Sequence, residues 1–185
     1  MDAHMHGDVD RDARARDRAD AELPALSRTG TPDRDVVADR IGDLLRARAL
    51  SAADAERVVR RLAACSVTET SYALRESALN AIAEAAVAYT LPYELLAPLA
   101  KRAHAVEQPD LLGHILFSLA ATHDERARET AELFLGHPAP DVRREAAEAV
   151  RELDAVRAGL RRDRDRSGGS RGPGTNVSGP SFRGS

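Results

Sequence analysis

Apolar residues recur along most of this chain at three- and four-residue spacing, the period of an amphipathic helix. The clearest case is GHPAPDVRREAAEAVREL, residues 136–153, where Val142, Ala146, Val150 and Leu153 share one narrow face. Pro138 and Pro140 hold the approach extended, since neither fits a helix interior. Asp141 is read as the N-cap, its carboxylate taking the first free amides. Upstream, Val36, Val37, Ile41, Leu44 and Leu45 form a stripe within 31–48, behind Thr31 and Pro32. Ser51 and Asp54 approximate a capping box for a second helix with Val58, Val59, Leu62 and Cys65 on its apolar face. Further helices are expected at about 71–88, 92–104, 110–121, 124–135 and 141–159. Pro98 predicts a kink near Glu94–Leu95 in the fourth of these seven helices.

The pattern repeats. With the Pro-Asp pairs superposed, Pro109 falls on Pro140, Asp110 on Asp141, Leu111 on Val142, Ile115 on Ala146 and Leu119 on Val150, a shift of 31 residues. An earlier copy places Leu74, Arg75, Ala78 and Ile82 on Val142, Arg143, Ala146 and Val150, with 37 residues from Leu74 to Leu111. Self-similarity at this period marks a helical repeat array. The chain has no Trp and no TPLH, which sets it apart from tetratricopeptide and ankyrin repeats. The run D-V-R-x-x-A-A-x-A-V at 141–150 resembles the second helix of a HEAT repeat, in the compact bacterial form.

That resemblance implies an all-α, short right-handed solenoid of about three HEAT-like hairpins over residues 31–160, with the 31–48 helix as an N-terminal cap. It also implies that Arg75 and Arg143 join successive repeats through acidic partners, and that second helices line a concave face. Counted at 100° per residue, the positions facing away from the core are Glu76, Ser77, Asn80 and Glu84 in one copy. They are Gly113, His114, Phe117 and Ala121 in the next, and Arg144, Glu145, Glu148 and Glu152 in the last. This stripe, acidic at both ends with His114 and Phe117 at its centre, is the candidate partner-binding surface, and a basic protein is the partner it suits. Phe117 has two readings, a recognition anchor or a residue packed under a neighbouring helix.

Composition changes this picture little. The 185 residues carry 27 basic and 30 acidic side chains, net −3, which forces neither a nucleic-acid nor a membrane reading. Residues 1–30 are polar and mixed in charge, with five Arg and seven acids, and are expected to be disordered. Residues 161–185, rich in Gly, Ser and Arg with six Arg and two Asp, are expected to be disordered as well. Weak nucleic-acid contact is conceivable only through that Arg-containing tail. Lone Cys65 reads as a small core residue of a reducing compartment. With no membrane span and no signal peptide in view, a cytoplasmic protein is expected.

Candidate chemistry is sparse. No P-loop, GxGxxG, HExxH, GxSxG or CxxC occurs. His104, His123 and His137 all lie at helix ends or turns, where dipole, capping or turn chemistry accounts for them. No catalytic residue, metal site or cofactor is therefore assigned. The resulting expectation is a non-catalytic protein-binding module, with the resemblance and size suggesting an immunity-type protein. The alternative is an accessory or lyase-like HEAT protein acting on a prosthetic group or enzyme partner, which needs an exposed Cys or His on the concave side.

Overall fold

The computed structural model describes residues 3–28 and 31–168, with side chains at 13–28 and 31–162. Among them there is no strand. The helices are α1 (Ala3–Leu26), α2 (Arg34–Arg46), α3 (Ala52–Thr68), α4 (Tyr72–Ala88), α5 (Tyr93–Arg102), α6 (Pro109–Ala120), α7 (Arg126–Leu133) and α8 (Pro140–Gly168). A 3₁₀ turn, Ala103–Ala105, follows α5.

Local chemistry explains most of the boundaries. Ser51 caps α3 by accepting from the Asp54 amide at 3.2 Å, and Ser71 caps α4 through the Leu74 amide at 3.5 Å. Pro109 opens α6 at a position whose N–H would be unpaired anyway. Pro98 does not end α5, which continues to Arg102 before tightening into the 3₁₀ turn. Asp141 is not the N-cap of α8. It lies inside the first turn and takes the Arg144 guanidinium at 2.6 Å, while the Ala139 carbonyl accepts the Arg143 amide at 3.2 Å. Pro140 occupies the first helical position and so moves the start one residue earlier.

Two departures from the sequence reading concern the ends. Residues 3–26, expected to be disordered, form α1, and Ala15, Ala19, Leu23 and Leu26 at spacings of four, four and three bury one side of it in the core. Half of that stripe is alanine, so average composition hides it. Charges on the flanks complete the contact: Arg57 meets Asp20 at 2.6 Å, Arg40 meets Glu22 at 3.0 Å, and Arg16 meets Asp54 at 3.5 Å. At the other end α8 passes Gly159 and runs to Gly168, where disorder was expected from 161. An established helix propagates without an apolar face, and one glycine costs only about 1 kcal/mol. The rest of that expected tail, 169–185, lies outside the described residues.

The packing alternates. Helices α2, α4, α6 and α8 each pack on the next, α1, α3, α5 and α7 do the same, and each odd-numbered helix packs on the even one that follows it. The helix expected to stand alone as a cap, α2, is thus the second member of a pair with α1. The core between the two rows is mostly Leu, Ile, Val and Ala. Helices α2 and α4 approach closely, and a Cβ on Gly42 would stand 3.2 Å from the Ala81 Cβ. In α8, Val142, Ala146 and Leu153 are buried as expected, but Ala149 completes the face and Ala147 is only half-buried. Cys65, read as a core residue, is half-buried.

Polar links tie neighbouring pairs together at sequence separations of 29 to 39. Tyr89 at the end of α4 donates its hydroxyl to the Leu50 carbonyl at 3.1 Å and receives the Leu50 amide at 3.3 Å. Arg126 bridges Glu94 at 2.6 Å and Asp124 at 2.7 Å while stacking 4.4 Å over the Tyr93 ring. Arg34 meets Glu69 at 2.6 Å, both side chains being 13% exposed, and also donates to the Leu26 carbonyl. The two arginines singled out in the repeats do not find acids. Arg143 donates to the carbonyls of His137 and Pro138 at 2.7 and 2.8 Å, and Arg75 reaches the Gln108 side-chain oxygen at 3.5 Å. Loop carbonyls take the Arg143 guanidinium, and a neutral side-chain amide takes that of Arg75.

Candidate interaction surface

The outward stripe is carried by three consecutive even-numbered helices, α4, α6 and α8, which pack side by side. Glu76, Asn80, Arg144 and Glu148 are exposed, while Glu84, His114 and Glu152 are half-buried. Phe117 is 37% exposed, so its ring is not part of the core. Helical periodicity accounts for this placement: in each helix the most buried residues take the opposite side, which leaves these positions exposed or half-buried.

Neighbouring copies of the stripe touch at the starts of their helices. The Tyr72 hydroxyl at the head of α4 donates to Asp110 at the head of α6, and that hydrogen bond pushes the phenol's pKa up to about 12. Between α6 and α8 lies an open groove of about 490 Å³, lined by Pro109, Asp110, Gly113, Asp141, Arg144 and Glu145. A Cβ at Gly113 would meet nothing within 4 Å, so the floor is unobstructed there. Burial pushes the Glu145 carboxyl above its usual range, and repulsion from Glu148 and Glu152 adds to it against the pull of Arg144.

Some stripe members are already engaged. Glu152 pairs with His123 Nε2 at 3.0 Å, Arg46 lies 3.8 Å from Glu84, and Arg151 lies 3.5 Å from Glu148. These exposed pairs are weak, on the order of 0–1 kcal/mol, and easily exchanged for a partner's charge. One member escaped the sequence reading. Val87, 67% exposed on α4, falls between Glu76 and Asn80 when counted at 100° per residue. The count reaches it; the repeat alignment does not, because it has no counterpart at the end of α6.

The remaining candidate chemistry is accounted for by structure. His137 Nδ1 accepts the Ala139 amide at 3.2 Å within the turn. The buried hydroxyls of Ser66 and Ser118 donate to carbonyls of their own helices, Leu62 at 2.9 Å and His114 at 2.7 Å. Burial raises the Cys65 thiol above its ordinary range, which favours the protonated, unreactive form. Among the described residues no group of three or more His, Cys, Asp or Glu side chains is placed to hold a metal ion, and no helix is long and apolar enough to cross a membrane. Compared with protein-family models and with curated proteins, the chain matches none.

Proposed function

We propose that this chain is a non-catalytic protein-binding module, a short right-handed solenoid of HEAT-like helical pairs that takes a basic protein partner on its concave side. The alternating packing of odd and even helices supports the solenoid reading, as do polar links between residues about one repeat apart. The observation that carries the binding role is the set of outward positions on α4, α6 and α8. They combine a solvent-exposed Phe117 and Val87 with acids at Glu76, Glu84, Glu148 and Glu152, none of which the core requires.

An aromatic anchor ringed by charge is a common organisation of a recognition surface, the ring supplying affinity and the acids supplying steering. The direct test is charge reversal at Glu148 and Glu152, assayed across ionic strength by association kinetics with a basic protein recovered by affinity capture on this chain. Both changes together should slow association about tenfold or more at low salt and flatten its salt dependence, with the melting temperature little altered. Association rates that do not respond to the reversal would remove α8 from the interface.

A further inference from the structure

A second feature lies away from the outward stripe. Where the α3–α4 turn meets the end of α5 and the flank of α6, a cavity of about 240 Å³ is floored by Leu79, Leu99 and Ile115, and Glu69, Arg75 and Arg102 stand around it. The three charges are not equivalent. Both Glu69 oxygens are spoken for: one meets Arg34 at 2.6 Å, and the other accepts the Thr70 and Ser71 amides at 2.8 and 3.0 Å. Its charge is thereby answered within the protein.

The arginines are held far more loosely. Arg75 reaches only the neutral Gln108 oxygen at 3.5 Å, and its Nε is buried with no hydrogen-bond partner. Arg102 reaches only the Val67 carbonyl, also at 3.5 Å. Both distances lie beyond the roughly 2.7–3.2 Å of a good N–H···O bond. A buried guanidinium N–H without an acceptor is costly, more so than an unpaired neutral donor. An anion between the two arginines would relieve that cost, and a carboxylate matches the planar donor fork best.

From this juxtaposition of two weakly held guanidiniums over an apolar floor, we infer that the cavity is a binding site for a small carboxylate carrying a short aliphatic chain. The carboxylate bridges Arg75 and Arg102, and the chain lies on Leu79, Leu99 and Ile115. The volume is below the about 300–1,000 Å³ of pockets for drug-sized molecules. At about 30 Å³ per water it has the room of roughly eight waters, which suits an acid of about that many non-hydrogen atoms. The site uses none of the stripe residues, so it stands or falls separately from the protein-binding reading.

The test is calorimetric titration of the full chain with 4-methylpentanoate, its uncharged amide and inorganic phosphate. Saturable binding of the carboxylate is expected, with the amide and phosphate each at least tenfold weaker. Arg75→Gln and Arg102→Gln should each weaken the carboxylate at least tenfold. Arg143→Gln, at the corresponding place in α8, and Phe117→Ala should change it less than twofold. If Arg75→Gln does not melt as a folded protein, Arg102→Gln decides alone, since Arg102 is exposed. No saturable carboxylate binding overturns the inference, as does binding that ignores the arginine variants. Phosphate or amide binding as tight as the carboxylate's overturns it too.

Discussion

At the scale of single residues, backbone geometry and charge make separate demands. The last turn of α2 is closed by two bonds, Ala49 N–H to the Leu44 carbonyl and Arg48 N–H to the Leu45 carbonyl, both at 3.0 Å. This is the pattern that favours glycine at its left-handed position, and Arg48 holds it at φ 50°. Arg48→Gly should therefore raise stability by about 0.5–1 kcal/mol, read from chemical denaturation. A loss of stability would mean that the arginine side chain contributes more than its backbone costs.

Acid titration separates two opposing groups. Asp124, hydrogen-bonded by Arg126, sits at about 2, so its contribution is present above the unfolded value near 4 and is lost as pH falls towards 2. Glu145 is shifted the other way, so its penalty is absent below the unfolded value of about 4.3 and develops as pH rises through its folded value. Glu145→Gln should accordingly raise stability at pH 7 by up to about 0.5 kcal/mol, the scale of a surface change, and leave it unchanged near pH 3. An equal effect at both pH values would show that charge is not its cause.

At the scale of elements, the helices from Arg34 to Leu153 were legible because each carries its own period and, in α3 and α4, a serine cap. What escaped lay within a local window, in the spacing of residues and not in their average composition. The face of α1 rests on Ala15 and Ala19 as much as on Leu23 and Leu26, so a composition reading weighs its many charges and misses its spacing. Yet those charges are placed: Asp20 and Glu22 face arginines of α3 and α2. Deleting residues 1–28 should cost about 3 kcal/mol or more, from the lost burial of two leucines and the uncovered core of α2 and α3. Thermal melts of the shortened chain measure this, and a melting temperature equal to that of the full chain would show that α1 adds nothing.

At the scale of the whole molecule, the spacing of the similar segments can be set beside the packing of the helices. A copy spacing of 31 to 37 residues anticipates polar links such as Arg126 to Glu94, 32 residues apart, and Tyr72 to Asp110, 38 apart. Which side chains make those links was not legible. Arg143 and Arg75 end on carbonyl and amide oxygens because helix ends, and not acids, lie within their reach. Period alone put Glu76, Asn80, Phe117, Arg144 and Glu148 at exposed positions, but it did not reveal that Glu84, His114 and Glu152 are half-buried or that Val87 is exposed beside them. What the stripe binds is the proposed step. It rests most heavily on Phe117, a ring left 37% exposed in the middle of three adjacent helices.

The most direct test measures folding stability and affinity for the captured partner on the same Phe117→Ala protein. The account predicts stability within about 0.5 kcal/mol of the parent, as for a surface position, and an affinity loss of about 2 kcal/mol or more, as for an anchor. A stability loss of several kcal/mol with unchanged affinity per folded molecule would contradict it and return Phe117 to the core.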